Sequence, residues 1–248
     1  MPVDVLSPRE ILRYQKQIMI PEIGVDGQKK LKNARVLVVG AGGLGCPALQ
    51  YLAVAGIGKI GIVEFDLVNE SNLQRQVLYG SDDVGKLKSI IAKNRLEHLN
   101  NLIAIEVINL KLNKTNSQNI FKNYDIIIDA TDNNEARYDI SDSCVLLNKP
   151  MVHGAVYKNE GQVSVFNFNG GPDYRSYNPV ENRSDIKNPS PSEVGLMGVL
   201  PGIIGTYMAN EVIKIITGTG TILSGKLLLI NILNNTFNII KIPSNKKP

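Results

Sequence analysis

The chain has 248 residues, with 43% hydrophobic and 20% charged residues, enough to bury a substantial core and too apolar for wholesale disorder. A net charge of +4, spread thinly, offers no basic stripe for nucleic acid, and no uninterrupted apolar run reaches membrane-spanning length. The start Met1-Pro2-Val3-Asp4 is not a secretory leader, and two cysteines, Cys46 and Cys144, cannot staple a secreted fold, so a reducing cytoplasm is expected.

Residues 7–33 read as helical in two pieces. Ser7-Pro8-Arg9-Glu10 is a capping-box pattern, and a turn at Pro21–Gly24 divides the segment. Residues 35–39 are a β-branched run and read as a buried strand. A helix follows over Cys46–Ala55, a strand over Lys59–Phe65, and an amphipathic helix over 84–99. Then come a strand at 103–108, a short helix at 115–122, a strand at Asp125–Asp129, a helix at Arg137–Leu147 and a strand at Met151–Ala155. This rhythm predicts right-handed crossovers and a mostly parallel sheet.

After Pro150 the pattern changes. Gly161–Phe168 alternates like a half-exposed strand. Residues 169–193, rich in Gly, Pro, Asn and Ser, read as a long mobile functional loop. Val194–Thr217 is apolar and helical, and Leu227–Leu233 with Thr236–Ile242 form a hairpin around Asn234-Asn235. The expected fold class is therefore α/β. A Rossmann-like nucleotide-binding sheet, parallel in the N-terminal half, is extended by antiparallel strands in the C-terminal half.

The main local motif is Gly40-Ala41-Gly42-Gly43-Leu44-Gly45, a GxGxxG between a strand and a helix. Such glycines let backbone approach a phosphate while the helix N-terminus supplies free N–H donors. Glu64 ends the second strand, where a carboxylate can accept from ribose hydroxyls. Taken alone, these features favour a dinucleotide such as NAD. The polar segment Asp66–Gln76 and the lysines of Val84-Gly85-Lys86-Leu87-Lys88 point elsewhere, because a nicotinamide needs an apolar pocket. Arg75 and Lys88 near a glycine loop, with Asp132 at the end of a central strand, suit a triphosphate with Mg²⁺.

In Arg13-Tyr14-Gln15-Lys16-Gln17-Ile18, the glycine loop, Ser71-Asn72-Leu73-Gln74-Arg75-Gln76, Val84-Gly85 with Lys88, Thr131-Asp132-Asn133 and Glu160-Gly161-Gln162, the chain resembles the ThiF/MoeB/HesA family. These are bacterial relatives of the ubiquitin-activating enzymes. The resemblance covers nearly the whole chain. It implies a homodimer that adenylates the C-terminal carboxylate of a small ubiquitin-like sulfur carrier with ATP and Mg²⁺, releasing pyrophosphate.

Carried over by position, Gly43 lies along the phosphates within the Gly40, Gly42 and Gly45 loop, and Glu64 holds the ribose. Ser71, Asn72, Gln74 and Arg75 contact the nucleotide, Lys88 supports the α-phosphate, and Asp132 with Asn133 holds Mg²⁺ and ATP. Lys16 stands where the family has an arginine reaching the partner subunit's ATP site. One domain over 1–248 is expected: helices reaching the partner (1–33), an ATP-binding half (34–150) and a carrier-binding half (151–248).

The chain departs from the family at three places. Asp173 and Ser176 replace one zinc-binding Cys-x-x-Cys pair, and Asn245 and Pro248 the other, so no structural zinc is expected. Pro191 falls where some relatives carry a loop cysteine. Lys16 keeps the charge of the arginine but not its planar fork. Cys46, at a helix N-terminus, reads mainly as a packing residue and Cys144 as core, His98 as surface, and His153 as a candidate for lining the carrier groove. Two other readings stay open: modification of a ribosomal peptide C-terminus, and a degenerate, non-catalytic nucleotide-binding scaffold.

Overall fold

The computed structural model describes residues 5–179 and 195–242. Among the described residues, eight strands form one sheet in the order β3-β2-β1-β4-β5-β6-β7-β8. β1 (Arg35–Val39), β2 (Lys59–Val63), β3 (Ala104–Ile108), β4 (Ile126–Asp129) and β5 (Met151–Tyr157) run parallel. β6 (Glu160–Phe166), β7 (Lys226–Asn231) and β8 (Thr236–Lys241) continue the sheet antiparallel. This is the mixed α/β architecture expected from the sequence.

Alternation along the strands sorts side chains into two cores. One face carries Val36, Val38, Ile60, Ile62, Ile128 and Val152, covered by α3 (Gly45–Ala55), α4 (Lys88–Leu99) and α8 (Val199–Thr217). The other carries Leu37, Val39, Ile127, Met151 and Phe166, covered by α5 (Ser117–Phe121), α6 (Asn134–Leu146) and α7 (Tyr174–Tyr177). α8 is long and apolar enough to span a bilayer, yet it packs on α3, β5 and β6 as a core helix.

The first two helices, α1 (Pro8–Ile18) and α2 (Gly24–Asn33), pack on each other, and α2 also packs on α8. The capping box forms: Ser7 Oγ accepts from the Glu10 amide at 3.2 Å, and Glu10 accepts from the Ser7 amide at 2.7 Å. Lys32 pairs with Glu10 at 2.8 Å, tying α2 to α1. Buried Asn100 donates to Tyr14 Oη at 2.8 Å and to the Ala53 carbonyl at 2.7 Å, fastening α1 beside α3.

Several element boundaries differ from the sequence reading: α6 starts at Asn134 and not Arg137, and α8 starts at Val199, residues 195–198 being outside it. The helix predicted from 84 begins at Lys88, because Val84–Leu87 leave a 3-10 turn in extended geometry and Gly85 takes φ +83°. The start of the 169–193 stretch is not a plain loop: Asp173 caps α7, whose Tyr174 is buried against Phe166 and His153. Residues 180–194 lie outside the described set, as does Pro191.

Candidate active site

Parallel order reverses between β1 and β4, and their carboxyl ends open into a cleft of about 380 Å³, large enough for a nucleotide. Its walls include Gly40, Gly42, Gly43, Glu64, Asp66, Arg75, Gln76, Lys88, Asp132, Asn133 and Arg137.

The four motif glycines divide by role. Gly40 takes φ +94°, and a Cβ there would approach the Ala130 carbonyl at 2.8 Å. At Gly45 a Cβ would sit 2.0 Å from the Gly40 carbonyl oxygen, so only glycine lets the turn close on itself. Gly42 and Gly43 instead face the cleft, where a Cβ would meet Gln76 Nε2 at 3.5 Å at Gly42 and, at Gly43, Pro201 Cβ at 3.2 Å and then Arg75 Cδ at 3.6 Å. The loop is fixed from behind by Tyr79 Oη and Cys46 Sγ, which both donate to the Ala41 carbonyl, at 2.8 and 3.3 Å.

Glu64 is committed largely to backbone. It accepts from the amides of Ala41, Phe65 and Asp66 at 2.8–2.9 Å, bracing the glycine loop against the exit of β2. A carboxylate has about four acceptor sites, which leaves one for a ligand hydroxyl. Lys88 is buried as the first residue of α4, and its ammonium lies 3.5 Å from Asp66 Oδ2. Arg75 donates to the Ser71 carbonyl at 3.0 Å and also lines the cleft. Gln76 Oε1 is buried on the cleft wall without a hydrogen-bond partner among the described residues, an acceptor left for a ligand or solvent donor.

The opposite wall is the turn after β4. Asp132 is exposed and makes no hydrogen bond or ion pair among the described residues, leaving its carboxylate available to a cation. Asn133 is the N-cap of α6, its Oδ1 accepting from the Ala136 amide at 2.9 Å.

Of the residues expected at the site, Gly45, Ser71, Asn72, Gln74 and Lys16 are not on the cleft wall. Ser71 and Asn72 form a 3-10 turn beneath Arg75, where the Asn72 carbonyl accepts from the Arg75 and Gln76 amides at 3.0 Å. Gln74 is exposed and abuts Gly198 at the start of α8. Lys16 is exposed on the last turn of α1. Sequence reasoning missed Asp66, Gln76, Lys111 and Arg137 as wall residues. Asp66 and Gln76 lie inside a motif already singled out. Nothing in the spacing marks Arg137, which enters the cleft only because α6 turns it back toward β4.

His153 does not line a groove. It is fully buried on β5, where Tyr174 of α7 and Phe166 cover its ring, and it contacts Asp129 at 2.7 Å. His98 is exposed. Burial pushes the Cys46 thiol up to about 12, with nearby Lys88 only partly offsetting it, and pushes Cys144 up further. Neither is a ready thiolate, so the helix N-terminus does not activate Cys46. Asp173 accepts from the Ser176 amide and hydroxyl at 2.8 and 2.7 Å. The two residues are thus spent on a helix cap. Asn245 and Pro248 lie outside the described residues.

The chain is similar to known proteins along most of its length. The ThiF family model matches residues 14–248. The chain is 48% identical over 237 residues to a probable molybdopterin-synthase adenylyltransferase of Porphyra purpurea, covering 95% of this chain and 62% of that protein. It is 46% identical to the probable adenylyltransferase/sulfurtransferase MoeZ of Mycobacterium tuberculosis, again spanning 62% of the longer relative. It is 44% identical to a sulfur carrier protein adenylyltransferase of Thermus thermophilus, covering 97% of this chain and 90% of that one. Among solved structures, E. coli MccB with ATP superposes at TM-score 0.79 with 26% identity, over 89% of this chain and 66% of that one. PaaA, at 24% identity and TM-score 0.80, shares the fold, covering 97% of this chain and 76% of PaaA. With a family model and relatives that each run along almost its full length, the chain belongs to the ThiF family.

Proposed function

We propose that this chain uses ATP to adenylate the C-terminal carboxylate of a small ubiquitin-like sulfur-carrier protein, with release of pyrophosphate. The observation that carries the reading is one cleft in which a glycine cradle, Arg75 and Lys88 face an unengaged carboxylate, Asp132. Converging cations and an acid suit a magnesium triphosphate better than a nicotinamide. Adenylyltransferase is also the activity named for relatives at 44–48% identity.

In this reading Gly42, Gly43 and the amides opening α3 receive the phosphates. Glu64 offers its remaining acceptor site to the ribose. Arg75 and Lys88 neutralise charge on the phosphoryl oxygens, Asp66 keeping the Lys88 ammonium in place. Asp132, with Asn133 beside it, would hold Mg²⁺, which supplies Lewis-acid neutralisation of the triphosphate. The carrier carboxylate oxygen attacks the α-phosphorus, the bond to the pyrophosphate oxygen breaks, and no protein nucleophile takes part. Alignment and charge neutralisation are the protein's contribution. Buried Cys46 and Cys144 accordingly have no part in the step.

The same reading takes the chain as one domain whose 34–150 half binds ATP and whose 151–248 half receives the carrier. The protein is cytoplasmic, with no nucleic-acid or membrane partner. It works as a homodimer in which Lys16 of each subunit serves the partner's cleft. Structural zinc is not expected, since Asp173 and Ser176 cap α7. Modification of a peptide C-terminus is the second reading, supported by the likeness to MccB, one of whose structures contains MccA. The higher identity to sulfur-carrier enzymes favours the first. The intact set of Gly43, Arg75, Lys88 and Asp132 argues against a degenerate scaffold.

ATP–pyrophosphate exchange tests the proposal. Exchange is expected only with a carrier protein present, and its dependence on a free peptide instead would select the second reading. No exchange with either, despite nucleotide binding, would favour the scaffold.

A further inference from the structure

Asp129, the last residue of β4, is fully buried, and everything around it bears on the turn that follows. Its Oδ1 accepts from the Thr131 amide at 3.1 Å and the Thr131 hydroxyl at 2.5 Å. Its Oδ2 lies 2.7 Å from His153 Nδ1 and 4.0 Å from Arg137 Nε. Arg137 reaches over the other side of the turn, donating to the Thr131 carbonyl at 3.1 Å and to Asn134 Oδ1 at 3.3 Å. Thr131 is therefore clamped at its amide, hydroxyl and carbonyl. Asp132, the next residue, has no such partner of its own among the described residues, so its place is set by what holds Thr131.

A carboxylate can only accept, so the 2.7 Å contact makes His153 Nδ1 the protonated nitrogen and leaves Nε2 with a lone pair. Nε2 is buried and unpartnered among the described residues, and the ring is enclosed by Tyr174 and Phe166 at centroid distances of 5.0 and 5.9 Å. Burial pulls the imidazole's pKa below its ordinary value. The Asp129 hydrogen bond and charge oppose that, and the Arg137 charge adds to it. Burial would raise Asp129, but His153, Arg137 and Thr131 together hold it below the usual carboxylate range. The pair is a carboxylate with a neutral imidazole.

We propose that His153 and Asp129 form a buried positioning dyad: the Nδ1–H of His153 fixes the Asp129 carboxylate, which with Arg137 locks the Thr131–Asn133 turn in the geometry that receives the nucleotide's cation. The inference rests on the proposed use of Mg·ATP. Without the imidazole donor, Oδ2 is left with Arg137 as its nearest donor, and a guanidinium drawn to it would release the Thr131 carbonyl. His153 is thus a positioning residue. It touches no ligand, and its effect should appear where the cation matters.

The chain has only two histidines, His98 and His153, so ¹⁵N-histidine NMR of the unliganded protein reads the dyad directly. The expected signal is a buried Nδ1–H tautomer that does not titrate near 6.5. An Nε2–H tautomer, or solvent-like titration, overturns the proposal. Calorimetry with Mg·ATP, and with AMP in the absence of Mg²⁺, reads the consequence. His153→Leu should weaken Mg·ATP about tenfold or more while leaving AMP within about threefold, and His153→Asn, which keeps an N–H near Nδ1, should restore Mg·ATP binding. Equal weakening of both nucleotides, or wild-type Mg·ATP binding in His153→Leu, would mean a merely structural residue.

If His153→Leu does not fold, Thr131→Val removes the hydroxyl from the same link and should give the same selective loss. A wild type that binds no Mg·ATP would bring down the adenylation reading by itself. The dyad is then decided by the tautomer and by amide exchange at Thr131, which should accelerate in His153→Leu and not in His153→Asn. Unchanged exchange in both would overturn it.

Discussion

The two halves of the sheet bury their strands differently. Strands β1 and β4 are covered on both faces, and every residue from Val36 to Val39 and from Ile126 to Asp129 is buried. Strand β8 is exposed at all six positions, although it pairs with β7 over its whole length. Phe237 and Ile239 are 56% and 62% exposed on the last edge of the sheet. Parallel strands need crossovers, and crossover helices cover both faces, whereas a terminal hairpin can be added with nothing above it. Hence the half that holds the cleft is enclosed on both faces, and the half proposed to receive the carrier still has apolar surface to bury.

The largest expected effect tests the enclosed half. Asp132→Ala should reduce Mg²⁺-dependent pyrophosphate exchange by at least roughly 100- to 1,000-fold with the fold intact, because an exposed turn residue contributes to ligand binding and not to the core. Exchange within a few-fold of wild type would remove Asp132 from the mechanism.

Next in size is the shared-site idea. Lys16→Ala should slow exchange without dissociating a dimer, because one ammonium in a partly solvated site contributes only about 1–4 kcal/mol before desolvation. Mixing Lys16→Ala with Asp132→Ala should recover activity in heterodimers, each having one hybrid site with both residues. Mixed dimers that stay inactive, or a fully active monomer, would end the idea.

The comparison itself is tested by a facing pair. Leu228 of β7 and Ile239 of β8 are register partners, but Leu228 is 7% exposed and Ile239 is 62% exposed. Leu228→Ala should cost about 2–5 kcal/mol in urea melts and Ile239→Ala within about 0.5 kcal/mol. Equal costs would mean that β8 is covered in solution, and a cost for Ile239→Ala that depends on protein concentration would place it in the dimer interface.

The smallest effect is on pH. Since burial lowers the His153 pKa in the folded protein, the unfolded chain binds a proton near 6.5 that the native state refuses. Stability from this residue is full above 6.5 and declines as pH falls below it. The melting temperature should drop between pH 7 and 5, and less so in His153→Asn. The depressed Asp129 carboxyl adds a loss only at lower pH, below its ordinary 3.8.

Much of this protein is legible in sequence, and what is legible is local. The capping box at Ser7, the β-branched run of β1, the glycines between β1 and α3, and the Asn234-Asn235 turn each depend on a few neighbouring residues. Backbone sterics and hydrogen bonding act over that range. The cleft's cations and acid were also legible, because Arg75, Lys88 and Asp132 each lie at or just beyond the end of an element that the parallel topology brings to one side.

Tertiary structure decided the rest. Only the paired sheet shows that Gly45 closes a turn while Gly43 faces the cleft, or that Glu64 spends three acceptor sites on backbone amides. His153 and Asp129 are 24 residues apart and meet because β4 and β5 are adjacent and in register, Asp129 opposite His153. A sequence gives residue type and spacing along the chain. Burial, pKa and the choice of partner depend on distances across the fold, and those exist only once the sheet has formed.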